Sequence, residues 1–194
     1  MNHIQEDKIL TRSDVICLSE TWLLSDEFDE NIQIEGFSLH ANGVGRGKGL
    51  ATYFKQNTFQ HYKDIKEQHF QISKLTSNSL DVISIYRSQE GKVNQLLKEI
   101  KDMMNWDKTT LICGDINICY ISDRSNNFIL ALEELGFKQL VKEATHIKGG
   151  LIDHVYIRDR SNIVSVECSH YSPYYCAMDH DALLTTVSLK KVKL

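Results

Sequence analysis

The sequence predicts an α/β domain organised on a central β-sheet, and three observations carry that reading. Residues 110 to 113 (Thr-Leu-Ile-Cys) are a short β-prone run that stops at Gly114. Leu80, Val82, Ser84 and Tyr86 alternate along a second run that ends at Arg87, so they share one face of a strand. Between these runs, Val93, Leu96, Leu97, Ile100 and Met104 recur at helical spacing. With 42% apolar and 25% charged residues, the 194-residue chain is expected to fold around a core rather than to be disordered or a coiled coil. Its length suits one domain spanning residues 1–194, and neither a repeat nor a Pro-rich linker divides it; the single Pro is Pro173.

Several function classes drop out on composition. No run of about 18 apolar residues occurs, so no transmembrane helix and no membrane partner are expected. Residues 1–7 lack the basic start and apolar centre of a signal peptide, which leads to the expectation of an intracellular protein, nuclear or cytoplasmic. The five Cys show no metal-finger spacing, and Cys17 and Cys113 sit in apolar strand-like runs; they read as reduced, mostly buried thiols. A net charge of −4 argues mildly against nucleic acid. An acidic metal centre, however, lowers the sum while a basic rim still meets phosphates.

In chain order, residues 3–11 are expected to form a short helix, and Asp14–Ser19 a strand buried on both faces. Glu20 follows at the strand's C-terminal end, either as a site carboxylate or as a surface acid opening the acidic loop 26–30. Gly43, Gly45, Gly47 and Gly49 form a flexible turn into a strand at Leu50–Phe54, with Arg46 and Lys48 either solvated or offered to phosphates. His69–Leu75 and Leu80–Arg87 form a hairpin about Ser77-Asn78-Ser79. A helix covers 93–104, the central strand follows, and a second helix over 126–135 stops at Gly136. Strands are expected at 151–157, at 163–168 and in the stretch to Leu189.

Three short stretches carry the candidate chemistry. Asp115 and Asn117 are two apart and would point to one side of an extended chain. A carboxylate beside a carboxamide can hold a water or a phosphate oxygen near a metal, or can simply make an Asx turn. Asp153 shares its face with Leu151, Val155 and Ile157. Burying it unpaired would cost several kcal/mol, so it needs a partner, and a His is the natural one. His154 points the other way. Asp179 and His180 set a carboxylate and an imidazole side by side, unless Asp-His-Asp is only a turn.

Taken together, Ser19-Glu20-Thr21, Gly114-Asp115-Ile116-Asn117, Ile152-Asp153-His154 and Asp179-His180 resemble the endonuclease/exonuclease/phosphatase superfamily, in order and spacing, over most of the chain. The wording is similar to the apurinic-type endonuclease domains of retrotransposons and Helitron-like mobile elements. The resemblance implies a DNase I-like, four-layer α/β sandwich: two mostly antiparallel sheets packed face to face with helices outside. It implies a Mg²⁺-dependent phosphodiesterase, with Mn²⁺ as the alternative ion, that nicks DNA. The counter-reading is an inactive remnant that folds or binds nucleic acid without cutting. By resemblance, Glu20 is the main metal ligand, and Asp179 lies behind that site or binds a second ion. Asp115 orients or deprotonates the attacking water, Asn117 and Tyr86 contact the phosphate, His180 bonds a phosphate oxygen or acts as acid/base, and Asp153 fixes His180. Arg46, Lys48 and Arg87 are the candidates for DNA contacts. The family also has an earlier strand ending in Asn, roughly thirty residues before its Glu. Here 19 residues precede Glu20 and the early Asn is Asn2, so a domain truncated at its N-terminus is expected, as a monomer or part of a longer mobile-element polyprotein. Met178 stands where the family often has Ser.

Overall fold

The sheet grows outward from two adjacent parallel strands. In the computed structural model, which describes residues 6–23, 32–43, 45, 47–160, 162–171 and 178–190, these are β6 (Leu80–Arg87) and β7 (Thr109–Asp115). Parallel neighbours need a crossover, and helix α2 (Val93–Met103) provides it. Antiparallel strands complete the sheet: β4 (Gln60–Lys66), β5 (Phe70–Thr76), β8 (Lys138–Gln139) and β9 (Asp153–Arg158), in the order β4-β5-β6-β7-β9-β8. Three further strands, β1 (Val15–Ser19), β2 (Ser38–Asn42) and β3 (Leu50–Phe54), form a second sheet in the order β1-β3-β2. β10 (Ile163–Tyr171) and β11 (Ala182–Leu189) pair with each other.

Alternation along the strands separates the two faces of the large sheet. Ile72, Ile83, Ile85 and Ile112 face α2 and helix α3 (Asn127–Glu134), packing on Leu96, Ile100, Phe128 and Leu132. Leu75, Val82, Leu111 and Val155 face the other way, against Phe54 and Val15 from the second sheet and Val166, Leu183 and Val187 from β10 and β11. The outer side of the β1-β3-β2 sheet is closed by Ile16, Leu39 and Tyr53, with Leu10 from helix α1 (Lys8–Arg12) packed on it. The result is the expected sandwich: helices, sheet, sheet, and a thin helical layer. It departs from expectation in that the second sheet layer consists of two separately bonded sheets.

Helix ends follow their sequence signals. The Asn126 side chain accepts the Phe128 N–H at 3.0 Å and starts α3. Gly136, at φ +85°, ends it, with Gly136 N–H donating to the Glu133 carbonyl and Phe137 N–H to that of Leu132. Of the helix expected at 3–11, residues 3–5 lie outside the described residues; α1 starts after Asp7, whose carboxylate caps it by accepting from Ile9 and Leu10 N–H, and runs to Arg12. β1 is not buried on both faces. It is an edge strand, and only Ile16 along it is buried. β2 and β4 carried no apolar run and were not foreseen; Tyr62 and Lys63 of β4 are exposed. Asn2, the acidic loop 26–30, Arg46 and Pro173 lie outside the described residues.

Candidate active site

One row of side chains crosses three strands at the level where the inner core ends. Pairing sets Tyr86 beside Asp115, and Asp115 beside Asp153. By alternation these three share the face of Val82, Leu111 and Val155. Gly114 makes the row, since at φ +135° a Cβ there would lie 1.8 Å from the Ile85 carbonyl oxygen on β6. No other residue lets β7 approach β6 so closely and turn immediately afterwards.

Asp115 sits in an Asx turn and in a polar cluster at once. One carboxylate oxygen accepts the Asn117 N–H at 3.0 Å and the other accepts its side-chain N–H at 3.1 Å. The second amide hydrogen of Asn117 goes to the Arg87 carbonyl at 2.9 Å. Both side-chain amide hydrogens of Asn117 are therefore engaged, by Asp115 and by the Arg87 carbonyl. The turn is secured from below by Arg87, whose guanidinium donates to the carbonyls of Ile116, Gly91 and Gln89. Arg87 is 6% exposed, so the expectation that it touches DNA is corrected: it anchors the Asp115–Asn117 turn. Lys48 reaches the Gln68 carbonyl at 3.3 Å and stays on the rim.

Glu20 ends β1 above the same row. The Tyr86 hydroxyl donates to Glu20 Oε1 at 3.3 Å and to the Gly47 carbonyl at 3.0 Å, so the glycine turn packs on the site. Burial, then the charges of Glu20 and Asp115, push the Tyr86 hydroxyl far above its ordinary pKa and keep it a neutral donor. Glu20, Trp22 and Asn117 are the non-Gly residues with φ near +55° among the described residues (53°, 59° and 53°). Each such conformation costs of order 1–3 kcal/mol, and their gathering around one row is the pattern of a site rather than of a scaffold.

On the far side, His180 Nδ1 lies 2.8 Å from Asp153 Oδ2. Asp153 is half-buried rather than buried, and it meets a His as the alternation argument expected. Thr145 supports both partners: its hydroxyl accepts the N–H of Ile152 and Asp153, and its carbonyl accepts that of Asp181. A second histidine escaped the sequence reading. His146 stands edge-on to His180, ring centres 4.7 Å apart, with Nε2 3.7 Å from Asp179. Nothing in residues 142–150 marked it, because a bridge between His146 and His180 brings it in from a loop.

The charges here are mutually dependent. Burial, then the charge of Asp153, lift the Asp115 carboxyl to about 7; Glu20 adds to this, while the Asn117 N–H and His180 oppose it. Burial alone would lower His180, but its bond to Asp153 and the charges of Asp153, Asp115 and Asp179 outweigh it and raise the ring. Two clusters have ligand atoms close enough to share an ion: Asp115, Asp153 and His180, and His146, Asp179 and His180. A carboxyl pushed up to about 7 by burial and by like charges is the sign of a site short of positive charge, and the carboxylate oxygens here suit a hard divalent cation.

No family model matches the chain, and no curated protein matches it in sequence. Solved structures do match in fold. The endonuclease domain of TRAS1, a telomere-specific non-LTR retrotransposon, superposes with a TM-score of 0.69 at 12% identity, covering 97% of this chain and 92% of that one. An AP endonuclease from Archaeoglobus fulgidus gives 0.68 at 15% identity, covering 97% and 95%. An endonuclease/exonuclease/phosphatase family protein from Leptotrichia buccalis gives 0.64 at 11% identity, covering 96% and 90%. The chain therefore has the fold of the endonuclease/exonuclease/phosphatase proteins, arrived at by a sequence far removed from theirs.

Proposed function

We propose that this protein is a divalent-metal-dependent phosphodiesterase that nicks DNA, with the row from Glu20 through Tyr86 and Asp115 to the Asp153–His180 pair as its active site. The observation that carries this is the Asp115–Asp153–His180 cluster, with ligand atoms within 4.8 Å of one another at the ends of β7 and β9. A structural role does not call for two carboxylates and an imidazole at such spacing. The two nucleases of the same fold support DNA as the substrate class.

Mg²⁺ held by Glu20 would supply positive charge to neutralise the phosphate and the developing charge on its oxygens. The chain's own groups do the rest. Asp115, with its carboxyl near 7, sits where a base working at neutral pH must sit, and takes a proton from the attacking water. Asn117 holds that carboxylate through both oxygens. Asp153 fixes the proton on His180 Nδ1 and favours the charged ring, so Nε2 is a donor for a non-bridging phosphate oxygen. Lys48 borders the site as a phosphate contact, and Asp179 offers a place for a second ion beside His146.

Supercoiled plasmid tests this directly, with untagged protein in Mg²⁺ or EDTA and with His180→Ala alongside. Nicking should require the metal and fall at least roughly 10²-fold in the variant. Cutting that ignores both EDTA and His180 would sink the assignment. A folded protein that retains DNA and leaves it intact would establish the non-cutting reading instead.

A further inference from the structure

A second group of ligating side chains lies at the other edge of the sandwich. β2 and β4 are the outermost strands of their two sheets, and His40 comes from the first, His61 and Asp64 from the second. Three strand spacings separate β4 from β7, or about 14 Å, so the cluster is distinct from the Asp115 row. His40 Nδ1 is 3.3 Å from Asp64 Oδ2, and His61 Nε2 is 2.9 Å from Asp64 Oδ1. One ligand atom from each of the three residues fits within 4.8 Å of the other two.

Two features set this cluster apart from an ordinary ion pair. The two imidazoles stack in parallel, ring centres 3.5 Å apart and planes 5° from parallel, an arrangement that two protonated rings would oppose. In addition, His61 Nε2 and Asp64 Oδ1 are buried atoms without a hydrogen-bond partner: they stand close together, but not in the alignment that a hydrogen bond needs. Leaving such atoms unpaired costs about 1–3 kcal/mol. An ion between them satisfies both at once.

We infer that His40, His61 and Asp64 form a binding site for a divalent transition-metal ion of the Zn²⁺ type, tying the edge of one sheet to the edge of the other. Two imidazoles and one carboxylate are a three-ligand set that leaves a fourth position open. Bonds of about 2.0–2.1 Å in a tetrahedron put ligand atoms about 3.3 Å apart, and one ligand atom from each residue already lies within 4.8 Å of the others. The donor set excludes Mg²⁺, which prefers oxygen and retains its water. His40 and His61 line a cavity of about 660 Å³ together with Phe54, Phe59, Gln56 and Gln60, wide enough for water or a small fourth ligand.

The test is a Co²⁺ titration of metal-stripped, untagged protein, followed by the ligand-field absorbance and displaced by Zn²⁺. It is run in the His180→Ala background, which removes the histidine common to the other two clusters. One ion per chain should bind, Zn²⁺ should displace it, Mg²⁺ should not, and melting should move up as Zn²⁺ is added. His40→Ala and His61→Ala should each weaken binding by roughly 100-fold or more. His61→Gln keeps a polar side chain in place should the smaller substitution fail to fold, and its nicking rate should match that of the otherwise unaltered protein. Absence of binding, or binding that survives loss of either imidazole, overturns the inference. Because the readout is spectroscopic, an inactive nuclease would leave this result standing, and an empty site would leave the nuclease reading standing.

Discussion

His154 and His180 both lie beside Asp153, one as its neighbour in the chain and the other as its hydrogen-bond partner. His154 is 1% exposed, and both of its ring nitrogens are committed. Nε2 donates to the Ile118 carbonyl at 2.8 Å and Nδ1 accepts from the Gln139 amide at 2.7 Å. That amide cannot turn over, because its oxygen already accepts the N–H of Leu140, Val141 and Val155. The surroundings specify one neutral tautomer, and burial lowers the ring's pKa to about 4. His180 is half-buried among carboxylates that favour its charged form. A histidine is structural where every nitrogen has a matched partner and no neighbouring charge, and chemical where one nitrogen is held by an anion and the other is left for a substrate.

The largest effects should separate these two residues. His180→Ala and Asp115→Ala should each reduce plasmid nicking at least roughly 10²-fold while thermal melting stays close to that of the parent. His154→Ala should do the reverse: the Ile118 carbonyl and the Gln139 amide lose their partner inside the core, at a cost of about 2–4 kcal/mol, while activity per folded molecule persists. A catalytic defect in folded His154→Ala, or a fully active His180→Ala, would break the contrast.

Acid should act through His154 next. In the unfolded chain the ring titrates near 6.5 and in the fold near 4, so the folded state binds fewer protons between these values. Stability is fully present above about 6.5 and is lost as pH falls toward 4, by about 3 kcal/mol for a shift of this size. As pH falls across that window, the parent protein should therefore lose stability relative to His154→Gln. His180 has the opposite sign: a raised ring contributes stability below its unfolded value and loses it as pH rises through the folded one.

Asp153→Asn sharpens the comparison from the other side. Shape is kept, the imidazole loses its anionic partner, and nicking should fall by more than melting changes. A variant that unfolds but cuts normally in its folded fraction would make Asp153 a structural residue. A further contrast comes from Asp115→Asn in EDTA at about pH 8. The unfolded carboxyl loses its proton near 3.8 and the folded one near 7, so stability falls as pH rises between them and stays low above. Removing the charge should raise the melting temperature while abolishing activity, the exchange of stability for function that strained sites show.

Much of the site was legible in the chain because β-strands alternate. Two-residue spacing determined that Leu80, Val82, Ser84 and Tyr86 share a face, and that Asp153 stands among aliphatic residues and needs a partner. Apolar runs and caps determined β5, β6, β7, β9 and both longer helices to within a residue or two. What periodicity does not encode is which edge meets which. β2 and β4 are polar and have no apolar signal, yet their meeting creates the His40–His61–Asp64 cluster. Only the tertiary structure turned Arg87 from a basic residue suited to DNA into a buried anchor, because the carbonyls of Ile116 and Asn117, from the turn after β7, join those of Gln89 and Gly91 around its guanidinium. It also spent the Asn117 amide on Asp115 and brought His146 against His180 through a backbone bridge. Local pattern decides which residues line a face, whereas long-range packing decides which polar groups are satisfied and which are left for chemistry.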